Sequence, residues 1–144
     1  MIERRVIRFS FVMMMFLSLP GCAKPPRTDR PPTYPAAGRV LVAGQPAAGA
    51  QVQLWAVDGD LKRAEYCPHA TVGDDGSFQL TTYATGDGAP QGEYALTLRW
   101  PAPPPPGREE GPDRFQGRYA DPLKPIRTVR IMAAENNIEV IELE

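Results

Sequence analysis

The most constraining stretch of this chain is a strict alternation that places Tyr94, Leu96, Leu98 and Trp100 on one side of the backbone and Glu93, Ala95, Thr97 and Arg99 on the other. A period of two is the signature of a strand, because successive side chains of a pleated backbone point to opposite faces. As the longest clean alternation in the sequence, it predicts a strand at the centre of a sheet.

Shorter runs of the same kind surround it. Around 38 to 43, Val40 and Val42 point inward with Arg39 and Leu41 opposite, and Gly44-Gln45-Pro46 turns the chain. From 50 to 57, Ala50, Val52, Leu54 and Ala56 oppose Gln51, Gln53 and Trp55. A polar loop from Asp58 to Pro68 leads to a short strand near His69 to Val72. Gly73-Asp74-Asp75-Gly76 then makes a tight turn before Phe78 and Leu80 face the core. Thr128 to Met132 reads as a strand with Val129 and Ile131 inward, and Glu135-Asn136-Asn137 turns it into Ile138 to Glu144. There Ile138 and Val140 face one way while Ile141 and Leu143 face the other, a break of phase that predicts a bulge or a strand covered on both sides. No helical period follows the N-terminal segment, so the expected fold is a small all-β antiparallel sandwich.

Two segments fall outside that pattern. Thr81 to Gly92 is a glycine-rich crossing, and Pro101 to about Pro125 runs for more than twenty residues without a strand signal. A loop of that length inside a compact domain is usually a functional excursion or a variable insertion. Its prolines, Pro103 to Pro106 above all, stiffen it and block edge pairing.

The N-terminus has a different composition. Arg4, Arg5 and Arg8 precede an apolar run from Phe9 to Leu19, too short to span a bilayer, and Leu19-Pro20-Gly21-Cys22 follows. This reads as a bacterial lipoprotein signal peptide over 1–21, with Cys22 lipidated as the new N-terminus and the membrane as its first partner. Ala23 in place of an aspartate points to the outer membrane, at its periplasmic or surface face. Residues 22–36 carry Pro25, Pro26, Pro31, Pro32 and Pro35 and form an extended tether reaching up to about 40 Å. Residues 37–144 remain as one domain, of a size that buries on the order of 60 to 70% of its unfolded surface. Three of the 16 basic and one of the 17 acidic residues precede Cys22, so the mature chain carries a net charge near minus three with both signs interspersed. Nothing there holds nucleic acid. With Cys22 taken by lipid, Cys67 has no partner for an internal disulfide.

The Gly38 to Leu54 pattern, the Asp74-Asp75-Gly76-Ser77-Phe78 turn and Gly92-Glu93-Tyr94 resemble the carboxypeptidase regulatory-like, transthyretin-like family of sandwiches. Thr81-Thr82-Tyr83, Gly86-Asp87-Gly88-Ala89-Pro90 and Gly117-Arg118-Tyr119-Ala120-Asp121-Pro122 further resemble a group of small bacterial envelope lipoproteins of unknown function. The resemblance implies a seven-stranded antiparallel Greek-key sandwich, transthyretin-like or immunoglobulin-like, and an envelope address; it implies no activity. Related hydroxyisourate hydrolases need several histidines and a terminal Tyr-Arg-Gly-Ser, whereas this chain has His69 alone and ends Ile141-Glu142-Leu143-Glu144. The histidine and glutamate set of a zinc carboxypeptidase is missing as well. Pilin-type isopeptide bonds need a lysine where Arg39 stands, and Asn136 and Asn137 lack an evident partner.

The remaining candidates are each open to a plain structural reading. Asp74 and Asp75 form a hairpin turn or contribute to a calcium site, with turn chemistry favoured. Asp87 bonds neighbouring amides or a ligand. Cys67 and His69 have a spacing that a soft metal uses, but two ligands do not close a site. Trp55 is an exposed aromatic that either covers the sheet or stacks a ligand. Arg118, Tyr119 and Asp121 form either a contact patch or, with Asp113 and Arg114, a salt-bridged clasp holding the long loop to the sandwich. The sequence therefore predicts a non-enzymatic module, without cofactor or metal, that binds an envelope protein. Its alternative is a carbohydrate or peptidoglycan binder using Trp55, Tyr83 or Tyr119.

Overall fold

In the computed structural model of the protein, residues 30–57 and 67–144 are described, and every regular element among them is a strand. The signal segment, Cys22, most of the tether and most of the loop that begins at Asp58 lie outside the described residues. The strands are β1 (Thr33–Tyr34), β2 (Ala36–Val42), β3 (Gln45–Pro46), β4 (Gln51–Ala56), β5 (His69–Thr71), β6 (Ser77–Gln79), β7 (Ala89–Pro90), β8 (Gly92–Arg99), β9 (Arg127–Ile131), β10 (Asn136–Asn137) and β11 (Ile141–Leu143).

Two main sheets face each other across a shared core, as in a β-sandwich. In one, β5, β4, β8 and β9 lie side by side, and all three pairings are antiparallel. The long alternation forms β8, second from the edge and paired along its length with β4. The other sheet is built on β2, which takes β6 and β3 antiparallel on one edge and β10 and β11 on the other. The last two pairings are parallel, so the expectation of a wholly antiparallel sandwich is corrected here. The reason is topological: the chain leaves β9 and crosses to the facing sheet, arriving beside β2 in the same direction.

The phase break near the C-terminus is a bulge. Asn136 and Asn137 face Ala36 and Ala37, while Ile141 to Leu143 face Val40 to Val42, so three residues on one strand oppose two on the other. The extra residue lets Ile138, Ile141 and Leu143 all be buried and puts Val140 outside, 48% exposed. The expected shared face for Ile138 and Val140 is thereby corrected. Regular pairing extends ahead of residue 37: Thr33 and Tyr34 pair with Pro90 and Ala89, and β2 begins at Ala36.

Val40, Val52, Leu54, Phe78, Leu80, Tyr94, Leu96, Leu98, Ile131 and Ile141 supply the bulk of the core, all of them predicted to point inward except Ile141, whose side the phase break left open. Tyr94 is fully buried at the head of β8, and its hydroxyl donates to the Pro90 carbonyl at 2.8 Å, pinning the crossing to the strand that follows. Burial, with Tyr83 and Cys67 nearby, pushes its phenol up to about 12.

An acid whose folded pKa exceeds its unfolded value keeps its proton in the fold after the unfolded chain has lost it. Stability contributed by neutral Tyr94 is therefore complete below pH 10 and is lost as pH rises from 10 towards 12, by about 2 to 3 kcal/mol. Denaturant titrations of Tyr94→Phe should show a loss of about 1 to 2 kcal/mol at neutral pH and a flatter decline above pH 10 than the parent.

The β2–β3 turn has positive φ at both central residues, Ala43 (49°) and Gly44 (75°). That conformation suits the right-handed twist of a two-residue hairpin, but alanine adopts it poorly. Ala43→Asn should raise the unfolding free energy by about 0.5 to 1 kcal/mol, read as a higher denaturant midpoint at unchanged m.

Candidate functional site

The long loop is organised by the needs of β8. Odd-numbered residues of β8 bond to β4, as continued by the Val57 amide on the Glu93 carbonyl, so the even-numbered ones present their amides and carbonyls to the other side. There β9 pairs only as far as Leu96. Beyond that point the loop takes over. Ile126 donates to the Leu96 carbonyl at 2.9 Å, Leu98 donates to the Tyr119 carbonyl at 2.9 Å, and Arg114 donates to the Trp100 carbonyl at 2.8 Å. The Ala102 amide then reaches the Pro112 carbonyl at 2.9 Å. A run without strand pattern thus continues the ladder and covers the edge that β9 leaves bare. Gly111 sits so close to the Ala102 carbonyl that any Cβ there would overlap it.

Asp113 fixes this arrangement. One carboxylate oxygen accepts the Trp100 amide at 2.9 Å and the Phe115 amide at 3.2 Å; the other accepts the Gly117 amide at 2.8 Å. Partial burial pushes its pKa up, but the three amides, with a smaller contribution from Arg99, outweigh that and leave it below the usual carboxylate range. The Trp100 indole donates to the Ala48 carbonyl at 2.9 Å, joining the loop base to the β3–β4 connection. The Arg114 guanidinium lies 4.4 Å from the Trp100 ring centroid, Phe115 packs against Trp100 at 5.9 Å, and Tyr119 meets Phe115 edge-on at 4.9 Å.

The expected clasp exists, with different chemistry: amide bonds to a carboxylate and an aromatic stack replace the salt bridges. The nearby ion pair, Arg99 with Glu110 at 3.6 Å, is exposed and contributes little. Tyr119 belongs to the clasp, whereas Arg118 and Asp121 stand outside it, exposed. Asp121 shapes the tip, accepting the Leu123 amide on its carboxylate at 2.9 Å and the Lys124 amide on its carbonyl at 3.0 Å. Between Pro122 and Pro125 that turn holds Leu123 outward, 89% exposed. Sequence reasoning missed Leu123; the available signal was a lone leucine between two prolines in a charged stretch.

The other candidates are dispersed. Trp55 is 37% exposed on the outer face of the β4–β8 pair, and its indole donates to the Thr97 hydroxyl at 2.9 Å. It therefore shields Thr97, which is buried although it points to that outer side. Tyr83 lies near the start of the domain, its ring 4.9 Å from the Arg30 guanidinium. Trp55 and Tyr119 stand on opposite sides of the four-stranded sheet, since Tyr119 packs towards the core.

Asp87 accepts the amides of Thr82, Tyr83 and Ala84 at 2.7 to 3.0 Å, an intramolecular role that uses its oxygens locally. Asp75 bonds the Ser77 amide and hydroxyl, which hold its pKa down, so the Asp74-Asp75 segment is a turn. The Cys67 thiol receives the Gln53 amide at 3.2 Å, and burial pushes its pKa up. The His69 ring contacts the Cys67 backbone carbonyl at 3.3 Å, not its sulfur. Among the described residues no three His, Cys, Asp or Glu side chains are grouped as metal ligands. Asn136 spends its side chain on the Met132, Ala134 and Pro35 backbone.

No family model and no curated protein matches this chain. Among solved structures, the dioxygenase domain of a dioxygenase carbohydrate-binding protein fusion from the cellulolytic bacterium Streptomyces sp. SirexAA-E is similar at TM-score 0.41 and 18% identity, over 81% of this chain and 84% of that one. At that level it assigns neither fold family nor activity.

Asp113→Ala should free the loop while sparing the core. Limited proteolysis should show new cleavage between 101 and 125, with global stability falling by about 1 to 3 kcal/mol. Because the folded pKa of Asp113 is depressed, the stability it supplies is present above its unfolded pKa and lost as pH falls through the folded value, and the variant should lose that acid-side slope.

Proposed function

We propose that this chain is a non-enzymatic, lipid-anchored envelope module that binds another protein through the tip of its long loop. The observation that carries the reading is Leu123. An apolar side chain is held outward by a turn that Asp121 closes, on a loop that Asp113 and three aromatic rings brace against the sandwich. A preorganised apolar anchor with a charged rim, here Arg118, Asp121 and Lys124, is what a protein contact needs at low ordering cost. A saccharide platform is supported less well, since Trp55, Tyr83 and Tyr119 occupy separate places.

The reading includes membership in the carboxypeptidase regulatory-like, transthyretin-like family. Counting β10 and β11 as one bulged strand and setting aside the two-residue β1, β3 and β7, the main strands come to seven. The Tyr94 hydroxyl, bonded four residues back at the head of β8, supports a Greek-key assignment. Lipidation at Cys22 and an outer-membrane address rest on the Leu19-Pro20-Gly21-Cys22 motif.

Cross-linking in intact cells, with Cys22→Ser as the unanchored control, followed by mass spectrometry, tests this. One recurrent protein partner linked within residues 118–124, and lost on Leu123→Asp, is the expected result. Partners scattered over the surface, or links unaffected by Leu123→Asp, would refute the loop as the contact.

A further inference from the structure

The two sides of the sandwich end differently. On one side β5 is tied across to the other sheet, with His69 and Thr81 exchanging amide bonds at 3.0 and 2.8 Å. On the opposite side β9 and the β10–β11 strand stand apart. A groove of about 210 Å³ runs between them, lined by Arg127 to Arg130 and by Asn136 to Glu139. It is bounded at one end by Arg127, which meets Glu139 at 3.4 Å, and at the other by the Asn136 side chain, which closes the turn on Met132. A second recess of about 370 Å³ adjoins it around Arg130, Ile131 and Met132, the last 51% exposed.

The backbone of β9 explains what this groove can take. Val129 and Ile131 face Tyr94 and Gly92 across the ladder, on the even-numbered positions of β8 that bond away from β4. Arg127, Val129 and Ile131 therefore direct their amides and carbonyls to β8, and Thr128 and Arg130 direct theirs outward. The Met132 amide, next in that outward series, is taken by Asn136. No described residue takes those of Thr128 and Arg130. Where the loop sheathes the free edge of β8, none of the described residues sheathes this one.

We infer that the outer edge of β9 is a site for strand addition, and that its occupant is an extended acidic segment of another protein that alternates apolar and acidic residues. The alternation follows from the pleat. Side chains of an added strand that point inward would lie beside Val129 and Ile131 over the buried Ile138, and those pointing outward would lie beside Arg130. Acid is favoured because Arg130 is the charged residue on the outward face of β9, while Glu93 is a strand farther away; Arg127 shares the inward face with Val129 and is held to Glu139 at 3.4 Å across the groove. A second copy of this chain would instead bring a second Arg130 to the same short edge, like charge beside like charge. This inference rests on the reading of the domain as a protein-binding module but uses a surface other than the loop.

The test is amide hydrogen exchange, followed by NMR on the full chain carrying Cys22→Ser in detergent, with two acetylated heptapeptides, one alternating glutamate and valine and one alternating lysine and valine. The glutamate peptide should slow exchange at Thr128 and Arg130 by about tenfold or more, and the lysine peptide should bind about three- to fivefold more weakly. Arg130→Pro removes an outward amide without touching the ladder to β8, and should abolish the effect while β8 amides keep their protection. Should that variant fail to fold, Arg130→Glu serves in its place and should reverse the preference between the peptides. Unchanged exchange with peptide at about 1 mM would overturn the site. Equal response to both peptides would overturn the acidic occupant, as would slowing that follows protein concentration without peptide. Cross-links at 118–124 in cells would survive any of these failures, so the two readings fall separately.

Discussion

The four-stranded sheet and its long loop are arranged around the hydrogen-bonding demand of β8. The strand is buried on both faces from Tyr94 to Leu98, which leaves no water to satisfy its amides and carbonyls. β4 satisfies one edge for its whole length; β9 is too short to satisfy the other. The loop completes it, and Asp113 gathers the amides that strand geometry leaves pointing into the gap. The length of the excursion, its proline content and the position of its single buried glycine all follow from having to lie along a strand without being one.

This division also explains what could be read from the residues. Alternation gave β2, β4, β8 and β9 with their inward faces, because burial on one side forces a period of two. The bulge near Ile138 was visible as a break in that period. The parallel pairing of β2 with β10 and β11 was not, because strand direction depends on how the chain crosses between sheets, and no local residue pattern encodes it. Likewise the loop's glycines and prolines marked irregularity but gave no sign that Tyr119 and Trp100 backbone groups would face each other. Arg118, Tyr119 and Asp121 were adjacent in sequence and so grouped together; in space Tyr119 turns inward to Phe115 while the other two face solvent. Thr128 and Arg130 looked like ordinary outward residues, since an open edge is a property of what is missing beside a strand.

The two sides of the sandwich show two answers to the same hazard. Bare edges invite pairing with other chains. The β5 side is tied shut by backbone bonds to Thr81, and the free edge of β8 is sheathed, yet among the described residues β9 keeps only charge as protection. Arginine on an edge discourages like chains and leaves opposite charge acceptable, which makes the guard selective.

The parallel run of β2 beside β10 and β11 has a mechanical consequence. Chain enters β2 at Ala36 and leaves β11 at Leu143 at opposite ends of the same sheet. A pull between the N-terminal residues and the tail is thus directed along the strands, across bonds that lie at right angles to it or slantwise. All of them must fail together by sliding, where a hairpin with both ends on one side would peel open one bond at a time. In that geometry a pull along the length of the domain is resisted in shear.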